Sequence, residues 1–207
     1  AAQLHGRFFD PAKETYVNGE PTYLVFPLVV DVVPQNLRPD VLKQLANRIE
    51  VTDNGHINTG MHGTWLLYNF LSAIGQDGLL MTMMRQTDYP GWRHMLEQGA
   101  TTVWEEWNGA NSRLHSTLMG AGQWFTEGIA GIRPDDTVPG YRRFVLKPAV
   151  VGGLRWARAT FHSPYGEIGS DWKRDDDRFR WLVTIPPNTT ATVYVPIFAY
   201  SALTESD

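Results

Sequence analysis

At 207 residues the chain can hold one large domain or two small ones. Its 43% apolar content supports a packed core, and a formal charge of −4, from Lys+Arg 18 against Asp+Glu 22, gives no basic stripe for nucleic acid. The absence of cysteine excludes disulfide and thiol chemistry, and no apolar run reaches the roughly 20 residues that span a bilayer. The opening AAQLHGRFFD has no methionine and no signal-peptide shape, so a processed or trimmed piece is expected, and the compartment is left open.

Residues 21–33 read as a helix with Pro21 near its first position. The run YLVFPLVVDVV is apolar nearly all round, as a buried helix would be; Pro27 should kink or shorten it, and Pro34 closes it. Residues 40–49 form a short amphipathic helix with Val41, Leu42, Leu45 and Ile49 on one face, ending before the turn-like TDNG. Residues 59–74 are a third, mostly buried helix with Trp65, Leu66, Tyr68, Phe70 and Leu71, stopped by Gly75. Residues 77–84 are a fourth, rich in Met and Leu, and YPGWRHMLEQG at 89–99 is a turn and then a short helix. The last clear helix is expected over 112–129, with Leu114, Leu118, Ala121, Trp124 and Phe125 within helical reach.

After about residue 135 apolar residues alternate instead. Strands are expected at 141–147, 154–161, 166–172, 179–185 and 192–195, bounded by proline, glycine and aspartate. Phe179, Trp181, Val183 and Ile185 share one parity, and Leu154, Trp156, Arg158 and Thr160 share a face. KRDDDR at 173–178 is a solvated turn. The fold class is therefore α then all-β. Helices paired without intervening strands favour an all-α toroid or bundle over residues 1–134, and five short strands favour a small antiparallel β-sandwich over 135–207.

The chemistry concentrates in GATTVWEEWNGANSRLH at 99–115, where Glu105 and Glu106 lie between Trp104 and Trp107. Glycosidic cleavage needs two carboxyl groups across the bond, one giving a proton and one acting on water or carbon. Either glutamate supplies one such group. Adjacent side chains diverge, so at most one faces a given sugar while the other orients the loop. The indoles could form a stacking wall for a pyranose. The same run also reads as a helix-entry loop, with polar caps, acids favouring an N-terminal turn and tryptophans in the core; composition alone favours that plainer reading. His115 could hydrogen-bond a sugar hydroxyl, fix a carboxylate or simply pack. His5, His56, His62, His94 and His162 are scattered without ligand spacing, so a zinc site is rejected and no metal or cofactor is expected. No phosphate-binding glycine loop and no G-x-S-x-G elbow occur.

Five pieces in order carry a more specific signal. They are INTGMHGTWLLYNFLSAIG at 57–75, TDYPGWRHMLEQGATTVWEEWNG at 87–109, SRLHSTLMGAGQWFTEGIAGI at 112–132, PGYRRFVLKP at 139–148 and SPYGEIGSDW at 163–172. Together they resemble the C-terminal part of the inverting α-L-rhamnosidases, glycoside hydrolase family 78, over nearly the whole chain. Departures are Gly91 where serine is common and Leu114 where asparagine is common. The resemblance implies an incomplete (α/α)6 toroid followed by a β-sandwich, inverting hydrolysis of terminal α-L-rhamnosides, and a rhamnose-containing glycoside or polysaccharide as partner. It implies Glu105 as general base and Glu106 as its supporting neighbour. It implies Trp104, Trp107 and His115 as sugar-pocket residues, with Trp92 and Tyr89 shaping the wall. The general acid of that family lies upstream, and no match to its segment is found, so the chain alone is expected to be weakly active or inactive. The other half is expected as a second chain or as lost sequence, and self-association is a further expectation. Another (α/α)6 carbohydrate-active enzyme, such as a glucosidase or polysaccharide lyase, and a non-catalytic carbohydrate-binding or structural fragment stay as alternatives.

Overall fold

The computed structural model describes residues 1–198 and Thr204, apart from the side chain of Thr117. It divides into two compact units, Ala1–Trp124 and Phe125–Asp207. The first is helical and the second is rich in strands.

The helical unit opens with α1 (Ala2–Phe8) and a small antiparallel hairpin of β1 (Phe9–Asp10) and β2 (Thr15–Tyr16), none of which the sequence pattern predicts. Two-residue strands carry no measurable alternation. Local side chains set the turn instead: Asp10 Oδ1 accepts the N–H groups of Ala12 and Lys13, and His5 Nδ1 meets the Tyr16 hydroxyl at 2.7 Å.

Helix α2 (Pro21–Val29) starts on a proline, where no intrahelical N–H is needed. Pro27 sits in its last turns and the helix stops two residues later, so the expected shortening is what occurs. The expectation of burial all round is corrected. Leu24, Val25 and Leu28 are buried, whereas Tyr23, Phe26, Val29 and Val30 are exposed. Within this unit α3 (Arg38–Asn47) and α4 (Met61–Ala73) cover only one side of it. Gly63 lets α4 approach α2 closely, because a β-carbon there would collide with Thr22 Oγ1. Helix α3 continues into a π turn, Arg48–Thr52, and buries Val41, Leu45 and Ile49 at four-residue spacing. Leu67, Tyr68 and Leu71 are the buried stripe of α4, while Trp65 faces outward. Helices α5 (Asp77–Met84) and α6 (Trp92–Glu97) follow as the sequence predicts.

The long helix expected over 112–129 does not form. Residues 112–116 are irregular, and beyond them come a 3-10 turn (Thr117–Met119), helix α7 (Gly120–Trp124) and a π turn (Phe125–Ile129). The reason is competition for backbone acceptors: the Ser112 and Arg113 carbonyls, which would accept the first intrahelical bonds, are taken across the loop by the Glu105 N–H at 2.8 Å and by Thr102 Oγ1. Leu118, Ala121 and Trp124 are buried as expected, but Leu114 and Phe125 are not.

The second unit has two three-stranded sheets among the described residues. One orders β3 (Ile132–Pro134), β4 (Arg143–Leu146) and β8 (Thr190–Val193); β3–β4 is antiparallel and β4–β8 is parallel. The other is an antiparallel meander of β5 (Trp156–Ser163), β6 (Gly166–Arg174) and β7 (Phe179–Thr184). Ile132, Phe144 and Leu146 from one sheet and Ile168 from the other form one buried cluster, flanked by Phe161, Trp181 and Val183. The parity read in 179–185 points inward through Trp181 and Val183. In β5 the shared face of Trp156, Arg158 and Thr160 is the outer one, because Ala157, Ala159 and Phe161 turn inward. The buried polar atoms of β6 are satisfied: Trp172 Nε1 donates to the Ile129 carbonyl at 2.9 Å, and Ser170 Oγ to that of Ala130 at 2.6 Å.

Candidate active site

Residues 100–116 form one irregular loop between α6 and the 3-10 turn. Its two arms are stitched together like a short ladder. Thr102 Oγ1 donates to the Arg113 carbonyl, Glu105 N–H to the Ser112 carbonyl at 2.8 Å, and His115 N–H to the Val103 carbonyl at 2.8 Å. The tip turns through Gly109 (φ +76°) and Asn111 (φ +58°), two residue types that tolerate left-handed backbone.

This stitching fixes the two acids differently. Glu105 is half-buried, and its Oε2 accepts the Ser112 N–H at 3.1 Å. Its Oε1 has no hydrogen-bond partner among the described residues. Glu106 is exposed and its Oε1 accepts from Asn111 Nδ2. One acid is therefore held against the loop's second arm, and the other ties down the residue that begins that arm.

The two tryptophans anchor the loop. Trp104 is 4% exposed and packs on Gly109, where a β-carbon would come within 2.8 Å of the ring; the Arg113 guanidinium lies 5.2 Å from its centroid. Trp107 is 7% exposed, and its Nε1 donates to the Thr59 carbonyl at 2.7 Å. From Trp107 a run of edge-to-face rings descends into the helices: Trp92 at 5.0 Å, then Tyr68 at 5.2 Å, then Trp124 at 6.2 Å. Each indole N–H in the run has an acceptor. Trp92 donates to the Leu118 carbonyl at 2.9 Å and Trp124 to Asp77 Oδ1 at 2.7 Å. The Tyr68 hydroxyl is buried without a hydrogen-bond partner among the described residues, and burial pushes its phenol pKa up.

Of the residues singled out in the sequence, the structure thus brings Glu105, Glu106, Trp104, Trp107 and His115 onto one loop and packs Trp92 under it through Trp107. Tyr89 stands in the preceding turn, exposed, with a cis peptide to Pro90 and its ring edge-to-face with that of His94, centroids 5.4 Å apart. That turn is pinned by His56 Nε2 against Asp88 Oδ1 at 2.8 Å, a hydrogen bond that lowers the Asp88 pKa. Sequence reasoning missed Asn111, Ser112 and Thr59. An Asn beside a Gly-containing tip is a readable turn signal. Ser112 and Thr59 act here through backbone atoms, which no side-chain pattern reveals. No group of three or more potential ligands for a metal is found among the described residues.

Comparison with known proteins gives this loop its family. Residues 1–129 match the family model of the bacterial alpha-L-rhamnosidase 6 hairpin glycosidase domain, and residues 131–206 match that of the bacterial alpha-L-rhamnosidase C-terminal domain. An alpha-L-rhamnosidase of Formosa agariphila is 32% identical over 207 residues, a match to 95% of this chain and 22% of that protein. One from Streptomyces avermitilis is 33% identical over 183 residues, covering 83% of this chain and 18% of that protein. Among solved structures, the alpha-L-rhamnosidase from Dictyoglumus thermophilum has a TM-score of 0.86 at 28% identity, covering 96% of this chain and 23% of the other. The Streptomyces avermitilis alpha-L-rhamnosidase complexed with L-rhamnose also gives 0.86, at 29% identity, covering 94% and 20%. The chain thus spans about a fifth of the length of the relatives it matches. With both units matched in order, the chain belongs to the bacterial α-L-rhamnosidase family.

Proposed function

We propose that this chain supplies the general-base part of an inverting α-L-rhamnosidase site, acting on terminal α-L-rhamnosides. The observation that carries the reading is the asymmetric hold on Glu105. Its Oε2 is engaged by the Ser112 N–H while Oε1 has no hydrogen-bond partner among the described residues. A general base needs that combination: one oxygen fixed so that the carboxylate keeps its aim, the other available to take a proton from water. In an inverting pair the water attacks from the face opposite the leaving group, and the carboxyls stand roughly 6.5–9.5 Å apart to admit it.

In this reading Glu106 supports the loop through Asn111, while Trp104 and Trp107 form its rigid floor and His115 borders the sugar. Trp92 holds that floor from below and Tyr89 shapes an outer wall. The general acid is placed outside these 207 residues, so the isolated chain is inactive or weakly active. The test pairs two measurements. In the complete protein carrying this chain, Glu105→Gln should lower turnover of an aryl α-L-rhamnoside by about 10²–10⁴-fold with the fold intact. Proton NMR during turnover should show the β-anomer of L-rhamnose forming first. Full activity in the variant, or initial formation of the α-anomer, would overturn the assignment. Turnover by the isolated chain near that of the complete enzyme would overturn the placement of the acid.

A further inference from the structure

The outer face of the β5–β6–β7 sheet has features that neither the core nor the Glu105 loop explains. The register sets Trp156, Lys173 and Arg180 in one row across the three strands, and Arg158, Asp171 and Leu182 in the next. Trp156 is 65% exposed and Leu182 70% exposed. A tryptophan offers one of the largest apolar surfaces of any side chain, and leaving most of it in water forgoes burial worth about 25 cal/mol per Å².

The charges are as unusual as the indole. Lys173 and Arg180 stand directly opposite one another on neighbouring strands. Like charges in that position are destabilising. Neither has an ion-pair partner among the described residues, although acids are near in sequence. Asp176 pairs with Arg155 at 3.4 Å, and Asp171 with Arg158 at 3.8 Å, so those two carboxylates have other cations. The row therefore pairs an exposed indole with two cations that have no ion-pair partner among the described residues.

We propose that this face binds a uronate-bearing polysaccharide chain. The indole would stack on the C–H face of one pyranose. The carboxylate of a neighbouring residue would sit over Lys173 and Arg180, relieving their mutual repulsion. The Arg158–Asp171 pair in the next row would present donors and an acceptor to vicinal hydroxyls. The face would hold an acidic polymer without taking part in bond cleavage.

The test needs no rhamnoside turnover, so its outcome is independent of the role given to Glu105. Titration calorimetry of the complete protein carrying this chain, with trigalacturonate as probe, should show binding that weakens as salt rises, with maltotriose at least about tenfold weaker. Trp156→Ala, and separately the double change Lys173→Ala with Arg180→Ala, should each weaken trigalacturonate about tenfold or more. All three side chains are exposed, so unchanged melting temperatures would show that the fold is kept. No binding of trigalacturonate, maltotriose binding of equal strength, or trigalacturonate binding untouched by Trp156→Ala would overturn the proposal. Equally tight binding of a single-stranded oligonucleotide, likewise sensitive to Trp156→Ala, would overturn the choice of a sugar acid.

Discussion

Glu105 and Ser112 hold each other through two hydrogen bonds: the Glu105 N–H to the Ser112 carbonyl at 2.8 Å, and the Ser112 N–H back to Glu105 Oε2 at 3.1 Å. The second fixes the carboxylate with a main-chain donor. Its aim therefore follows the path of the 111–115 arm rather than the identity of any single side chain.

Asn111 sets where that arm begins. Its backbone is left-handed, and its amide reaches Glu106. Asn111→Ala keeps neither advantage and should cost about 1–2 kcal/mol from the left-handed backbone alone. Asn111→Gly recovers the backbone term and loses only the amide. Hydrogen exchange at the Ser112 amide should speed up markedly in the alanine variant and less in the glycine variant. Equal exchange in both would show that backbone conformation does not govern the arm.

Trp107 is an anchor by its N–H as well as by its ring. Trp107→Phe retains an aromatic next to Trp92 but leaves the buried Thr59 carbonyl without its donor. The expected loss is about 1–3 kcal/mol in urea unfolding of the helical unit. A loss within error of zero would mean that water or a neighbour replaces the indole donor.

Gly131 has φ +82°, and a β-carbon there would run into Pro148 N and the Lys147 carbonyl carbon. Its carbonyl also accepts the Lys147 N–H at 2.8 Å. Backbone atoms cannot swing aside as a side chain does. Gly131→Ala should therefore destabilise the strand-rich unit by about 2–5 kcal/mol, combining left-handed strain with overpacking. Thermal unfolding followed by tryptophan emission would measure it.

Asp135 is held well below the usual carboxylate range by the Arg143 guanidinium at 2.6 Å and by the hydroxyl and N–H of Thr137. A carboxylate with a lowered folded-state pKa adds stability that is present above its unfolded pKa of about 4 and is lost as pH falls through the lowered value. Asp135→Asn should thus lower the melting temperature at neutral pH. The gap to the parent chain should close only in strong acid. A gap that stays constant from neutral to strongly acidic pH would argue against this ion pair as its source.

Several features were legible in the sequence because they rest on local periodicity or on residue type. The helices at 77–84 and within 89–99, the Val41–Leu45–Ile49 stripe and the inward parity of Trp181 and Val183 are of this kind. So was the family, because five ordered motifs survive without any geometry. What failed was what competes with local pattern. The spacing of Leu114, Leu118 and Ala121 promises a helix from 112 onward. The Ser112 and Arg113 carbonyls are instead taken by donors on the opposite arm of the loop, and Leu114 ends 77% exposed.

The sequence by itself determined the order of a helical and a strand-rich part, the family, and the acids and indoles gathered at 104–107. Residue chemistry and short-range spacing are enough for those. Only the tertiary structure decided which acid is held by a backbone N–H and which reaches Asn111. It also decided that Trp107 joins a ring stack through Trp92 and Tyr68, and that Lys173 faces Arg180 beside an exposed indole. Those relations join atoms distant in sequence or hang on main-chain groups common to nearly every residue, so no one-dimensional pattern records them.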